Sequence, residues 1–420
     1  MNENLKFKIE NLIPVFSIIW LLSIPFSFAW EPDFWESLKS RTSLPLWNVY
    51  TADFTTLFFL LASAIYLFWH KKFVLALKTK LFAEGLLLVS LAPLSALWSG
   101  SPALSFLWGA RLLAYCLVIF FALYLMSNSS QLKNLFLKTV VFVGAIESVI
   151  VTVQFIFQHS IGLWFLGEGL ISQSIPGLAK TWIGSWHLVR AYGTFPHPNI
   201  LGGFLLFTLT TTFCYGTERY KNFWLALQIL ALGLTFSRSA ILGLFLLIFL
   251  NRQLIFTKSL NKKFIFFFSL LALLSLFFLF RSPIQNILSG HDSATRLRFE
   301  YAKAAYERFI DSPILGRGWA TEPTELPAFS HFPFYFWEYQ PVHNIYLLVL
   351  SDLGITGLLI FLYFIYKVLS GPSKAGMSLF IAYLFIGLFD HYLLTLPQGI
   401  AIFFLSAALS FLPKAAPESA

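Results

Sequence analysis

The chain is 420 residues long, 57% hydrophobic and 19% aromatic, with only 12% charged residues and a formal net charge of +9. A soluble domain carries nearer one quarter charged residues, so this composition excludes one and reads as a polytopic membrane protein. The basic residues are scattered through short connections, so the charge records topology and implies no nucleic-acid partner; Cys116 and Cys214 lie in apolar runs, which excludes a disulfide framework or a thiolate metal site.

Apolar runs of bilayer-spanning length recur from end to end and predict about twelve transmembrane helices. They fall near 12–29, 53–69, 82–98, 104–126, 135–157, 199–216, 222–236, 239–256, 264–281, 344–366, 376–390 and 396–412. The first follows Lys6 and Lys8 and lacks a small-x-small cleavage site, so it reads as a retained span. Lys71, Lys72, Lys78 and Lys80, Lys133 and Lys138, Arg219 and Lys221, Arg252, Lys258, Lys262 and Lys263, and Lys367 and Lys374 fall in alternate connections. Those faces, and both termini, are therefore expected in the cytoplasm. The chain divides into helices 1 to 9 over 1–281 with an outer loop at 158–199, a large helical outer loop over 282–343, and helices 10 to 12 with a short tail over 344–420.

In chain order, Glu31-Pro32-Asp33 forms an acidic pair that reads as an interfacial loop rather than a metal site. Arg111 and Glu147 lie about eight and ten residues inside their spans, roughly 12–15 Å deep, and are expected to pair as ions within the membrane, with a proton relay as the alternative. In RAYGTFPHPN, Gly193, Pro196 and Pro198 impose a turn that presents Arg190 and His197 to the outer face. The run from Asn222 to Phe256 is too long for one span and flanked by basic loops, so it splits into a hairpin with Arg238 at its tip. Leu297, Tyr301, Ala304, Ala305, Arg308 and Phe309 form a helical stripe, with Asp292 or Ser293 as its N-cap and Pro313 beyond its end. This predicts a surface helix over the bundle. His343 and Asn344 then open the stretch HNIYLLVLSDLGITG, where Gly354 and Gly357 are expected to permit close helix packing.

On this topology Arg190, Arg238, Arg298 and His343 meet on one outer side. Arginine suits a diphosphate, because its planar fork donates two parallel charge-assisted hydrogen bonds and keeps its proton. Histidine suits a general base near neutral pH. No Walker loop or other nucleotide motif is present, so the energy for any reaction arrives in the substrate, and no cofactor is expected.

These blocks, in this order, resemble the O-antigen ligase and O-antigen polymerase superfamily of bacterial membrane glycosyltransferases. The resemblance spans roughly residues 90 to 370 and rests on RAYGTFPHPNILGGF, TFSRSAILGL, RFEYAKAAYERFIDSPILGRG and HNIYLLVLSDLGITGLL, with the SGSP turn at Ser99 to Pro102. Asp352 stands where that family usually has glutamate, and Ala302 where an aromatic is common. The resemblance implies an all-α, GT-C-type fold in the inner membrane with a periplasmic active site. It also implies inverting, metal-independent transfer of a polysaccharide from undecaprenyl diphosphate to an acceptor hydroxyl. Arg190, Arg238 and His343 match the family's essential residues and are the expected catalytic set, with Arg298, His197, Asn344 and Arg111 as substrate-binding residues. The acceptor stays open between lipid A-core (O-antigen ligase), a growing glycan (polymerase) and protein (O-oligosaccharyltransferase), and membrane lipids are the surrounding partners. A flippase for the lipid-linked glycan is the reading from another class; it calls for polar residues along a transbilayer path and internal repeats, neither of which the chain displays.

Overall fold

The computed structural model describes residues 3–30, 49–175, 177–183, 186–216, 220–252, 293–335 and 338–412. The chain is predominantly helical. The principal helices are α1 (Glu3–Ser23), α2 (Thr51–Trp69), α3 (Phe82–Leu94), α4 (Pro102–Asn128), α5 (Ser130–Phe157), α6 (Pro198–Tyr215), α7 (Lys221–Leu234), α8 (Arg238–Leu250), α9 (Ser293–Asp311), α10 (Glu322–Phe329), α11 (Ile345–Leu369), α12 (Lys374–Ile386) and α13 (Pro397–Leu409). Among the described residues, α2, α4, α5 and α11 are long and apolar enough to cross a membrane, and six shorter apolar helices accompany them. The span expected at 264–281, the acidic pair Glu31 and Asp33, and the N-cap candidate Asp292 lie outside the described residues.

The all-α expectation needs one amendment. Strands β1 (Ala29–Trp30) and β2 (Val49–Tyr50) pair antiparallel, as do β3 (Lys180–Ile183) and β4 (Trp186–Val189), with Lys180 opposite Val189. Strands of two to four residues are too short to print the alternating pattern by which strands are recognised in a sequence.

Helix α6 lies at the centre of the bundle and is buried along nearly its whole length, as a helix apolar on every face must be. It packs against α5, α7, α8 and α13. Its threonines satisfy their hydroxyls locally: Thr210, Thr211 and Thr212 each donate to the carbonyl four residues earlier, and Gln228 of α7 bridges Thr208 and Thr212. The hairpin expected over 222–256 is present as α7 and α8, with Thr235 to Ser237 between them.

The most consequential departure concerns α11. Gly354, expected to serve close packing, instead breaks the helix at φ +66°, ψ −167°. A broken helix in apolar surroundings must find partners for its freed backbone groups, and here the loop after α9 supplies them. Arg317 N and Gly318 N donate to the Ser351 and Asp352 carbonyls at 3.2 and 2.9 Å, while Ile355 N and Thr356 N donate to the Pro313 and Ile314 carbonyls at 2.9 and 3.2 Å. The predicted surface helix α9 is therefore the handle of a plug. A side chain at Gly354 would collide with the Ile314 carbonyl, and one at Gly316 with the Asp352 backbone. Serines on either side of the SGSP turn grip the same loop from the other side: Trp319 N donates to Ser95 Oγ at 2.8 Å, and Ser105 Oγ donates to the Trp319 carbonyl at 3.0 Å.

One side chain locks this insertion. Arg308, on the predicted stripe of α9, is fully buried and donates to Asp352 Oδ1 at 2.8 Å, Ser351 Oγ at 3.1 Å, Thr321 Oγ1 at 2.6 Å and Glu325 Oε2 at 3.2 Å. Asp352 also accepts from Ala320 N at 2.8 Å. Removing Asp352 takes from the Arg308 guanidinium its shortest carboxylate contact and leaves Glu325 to answer the buried charge, a loss of roughly 1.5–3 kcal/mol, the cost of a hydrogen bond between charged groups. Thermal unfolding in detergent should therefore show Asp352→Ala destabilised by about that amount and Arg308→Met destabilised further, because it leaves the buried carboxyl groups of Asp352 and Glu322 together without their cation. Variants as stable as the wild type would remove the pair from this role.

Candidate functional site

The outer segment that carries Arg190 and His197 is fastened to α5 by two buried polar side chains. Gln154 Oε1 accepts from Gly193 N at 2.7 Å and its Nε2 donates to the Gly193 carbonyl at 2.9 Å. Glu147 accepts from Thr194 Oγ1 at 2.7 Å and Thr194 N at 3.2 Å. The expected ion pair between Glu147 and Arg111 is thus absent. Arg111 pairs with Asp53 of α2 at 3.0 Å, with the faces of Trp108 and Tyr50 beside it. It lines a separate cavity of about 240 Å³ with Asp53, Thr56 and Tyr115.

Arg190 is half-buried, and its guanidinium is aimed by two acceptors: Nε donates to the Thr235 carbonyl and Nη2 to Asn199 Oδ1, each at 2.6 Å. Burial lowers its pKa to about 10; the charges of Arg238 and Arg298 lower it as well, while Tyr192 and Asp390 raise it. It remains a cation at neutral pH. Arg238 is the first residue of α8 and exposed, following a tight turn in which Phe236 takes φ +48°. Arg298 lies on the exposed side of α9. Arg190 is therefore within electrostatic reach of the other two arginines predicted for the same outer site.

His343 arrives from the segment before α11. Its ring stacks on Tyr301 of α9 with centroids 5.5 Å apart and meets His391 edge to face at 4.9 Å. Burial holds its pKa below the usual value and Arg298 adds to that, while Asp390 and the Pro341 carbonyl act in the opposite direction. Nδ1 of His343 makes no hydrogen bond in this geometry.

Three residues that sequence reasoning passed over complete the cluster. Asn199 bridges, accepting from Arg190 and donating through Nδ2 to Asp390 Oδ2 at 2.8 Å. Asp390 accepts from His391 N at 2.9 Å, and His391 Nδ1 shares a hydrogen bond of 2.7 Å with Thr395 Oγ1. Ligand atoms of His343, Asp390 and His391 all lie within 4.8 Å of one another, so these three could hold a metal ion. Asp390 and His391 were readable as an ionisable pair interrupting an apolar run, but their position near a predicted span end made them pass for boundary residues.

The other expected binding residues have structural duties. Asn344 caps α11, its Oδ1 accepting from Tyr346 N and Leu347 N at 2.9 and 3.0 Å and its Nδ2 donating to the Leu388 carbonyl at 3.2 Å. His197 caps α6, with Nδ1 accepting from Asn199 N at 3.1 Å. Burial lowers the His197 pKa to about 4 and Arg190 assists, so it stays neutral.

No curated protein matches the chain. A protein-family model described as O-antigen ligase matches residues 223–362, about a third of the chain, a region that runs from α7 through Arg238, Arg298 and His343 into α11.

Proposed function

We propose that the protein is an inverting, metal-independent glycosyltransferase of GT-C type that moves a polysaccharide from undecaprenyl diphosphate to a hydroxyl of lipid A-core outside the inner membrane. What supports this reading is that Arg190 lies within the field of Arg238, Arg298 and Asp390, and His343 within that of Arg298 and Asp390, although these residues come from separate stretches of the chain. Arg190 and Arg238 bind the diphosphate and neutralise the charge that develops on it as the bond from C1 to the diphosphate oxygen breaks, with Arg298 assisting. Donors already aimed by the fold, as Arg190 is by Thr235 and Asn199, lose no orientation at that moment. His343 takes the proton of the acceptor hydroxyl while that oxygen bonds to C1 on the face opposite the leaving group, so the anomeric configuration inverts. The neutral imidazole this requires is favoured by burial, and the nearby Asp390 carboxylate stabilises the imidazolium that follows.

Metal independence rests on the donor set. Both Asp390 oxygens already accept hydrogen bonds, one ring nitrogen of His391 is engaged by Thr395, and the neighbouring arginines oppose a further cation. Guanidinium groups do here the work a divalent ion would do elsewhere.

Product analysis in proteoliposomes, with undecaprenyl-diphosphate glycan as donor and lipid A-core as acceptor, should yield ligated glycan at an undiminished rate in EDTA. Lengthening of the glycan on its carrier would instead identify a polymerase, and loss of activity to EDTA would overturn the arginine mechanism. His343→Ala should abolish transfer while leaving donor binding intact, whereas Arg238→Ala should weaken donor binding about 10- to 100-fold, the loss of one charge-assisted contact.

The pH profile tests the base. Asp390 raises the His343 pKa, so Asp390→Asn lowers it further. The base works as the neutral ring, and the acid limb of kcat/KM should therefore move to lower pH in that variant. An unmoved limb would assign it to another group.

A further inference from the structure

Beside His391 lies a cavity of about 150 Å³ whose wall includes none of Arg190, Arg238 or Arg298. Trp108, Trp319 and Tyr339 contribute aromatic surface to its wall, Glu322 and His391 contribute polar groups, and the exposed Gln340 stands on its rim. Cavities that stay dry are apolar, and one with several polar walls holds water or a polar ligand.

Glu322 is the informative wall. Its side chain is completely buried, yet neither carboxylate oxygen meets hydrogen-bond geometry with a protein group. Arg308 Nη1 stands 4.0 Å from Oε2, but that nitrogen is already committed to Asp352 at 2.8 Å. The Val342 amide also faces the group. A buried carboxyl with no made hydrogen bond in the chain is open to one from a water or a ligand hydroxyl.

We propose that this cavity is the subsite for the terminal sugar ring of the acceptor, its aromatic walls packing on the apolar face of the ring and Glu322 pairing with a ring hydroxyl. This deepens the transfer reading and rests on it. Aromatic surface combined with a few convergent polar groups is what a ring with one C–H face and an equatorial set of hydroxyls requires. The position assigns the ring to the acceptor rather than the donor. None of Arg190, Arg238 or Arg298 lines the cavity, whereas His391 does, and its ring abuts that of His343. A sugar seated there presents its hydroxyl edge toward the base, with the diphosphate on the far side. Burial raises the Glu322 pKa to about 8 against the pull of Arg308, so at neutral pH it can donate to a hydroxyl as well as accept.

Steady-state kinetics on the full chain in proteoliposomes, with lipid A-core and undecaprenyl-diphosphate glycan varied in turn, separate the two substrates. Glu322→Leu and, at a half-exposed position, Tyr339→Ala should each raise the acceptor KM on the order of tenfold while the donor KM stays within twofold. An acceptor KM unchanged in both variants, or a donor KM that rises equally, would overturn the subsite while leaving the transfer reading standing. A wild-type protein that moves no glycan would sink the transfer reading and the subsite with it.

Discussion

The buried contact between Arg308 and Asp352 is what the junction of α9, α10 and α11 hangs from. It is a costly arrangement, since two charges have left water, and it is tolerated because Ser351, Thr321, Glu325 and the Ala320 amide are turned toward it. What the pair secures is register. It fixes α9 against α11 at the point where Gly354 interrupts the helix, and so holds residues 312–320 in the break. Three features of the candidate site inherit their positions from that junction. Tyr301 lies on α9 two turns before Arg308 and stacks on His343; His343 stands just ahead of α11; and Glu322 opens α10 directly after the plug.

A second polar chain ties the remaining segments together. Thr235, Arg190, Asn199 and Asp390 are joined in sequence by hydrogen bonds of 2.6 to 2.8 Å. These residues come from the α7–α8 turn, the loop before α6, the first turn of α6 and the connection after α12. Because α6 is buried on nearly every face, it can serve as the fixed post to which Arg190 and Asp390 are referred. The loop that bears Arg190 is in turn clamped by Glu147 and Gln154 of α5, which spend their buried polar atoms on its backbone.

Which features were readable in advance follows from how each is encoded. Charges at the edge of apolar runs stand out against their surroundings, so Arg190, Arg238 and His343 could be named from the chain alone. The α9 stripe was legible for the same reason, as a period-3.6 pattern in an otherwise polar stretch. Partnership was not legible. Depth along two helices places Arg111 and Glu147 at similar levels but says nothing about which faces turn toward each other, and each found a nearer partner in Asp53 and Thr194. Gly354 was read by its size when its conformational freedom was the property in use, because the loop that fills the break is separated from it by more than thirty residues of sequence. Asp390 and His391 were hidden by sitting near a span boundary, where polar residues are ordinary.

The electrostatic balance of the cluster bears on what it can bind. Arg190 is desolvated and still feels the positive charges of Arg238 and Arg298, which is why its proton affinity falls. The same Arg298 lowers the proton affinity of His343 and His197. Asp390 answers only part of this charge, and its oxygens are already occupied by Asn199 and the His391 amide. Holding like charges close in a partly dehydrated place raises the free energy of the empty protein, and an anion that engages several of them at once lowers it. A diphosphate has two adjacent anionic centres and is well matched to forked donors set at different angles. In the proposed reaction its charge grows as the bond to the sugar breaks, so the same repulsion that burdens the resting site becomes stabilisation of the transition state, where it accelerates the reaction rather than merely tightening substrate binding.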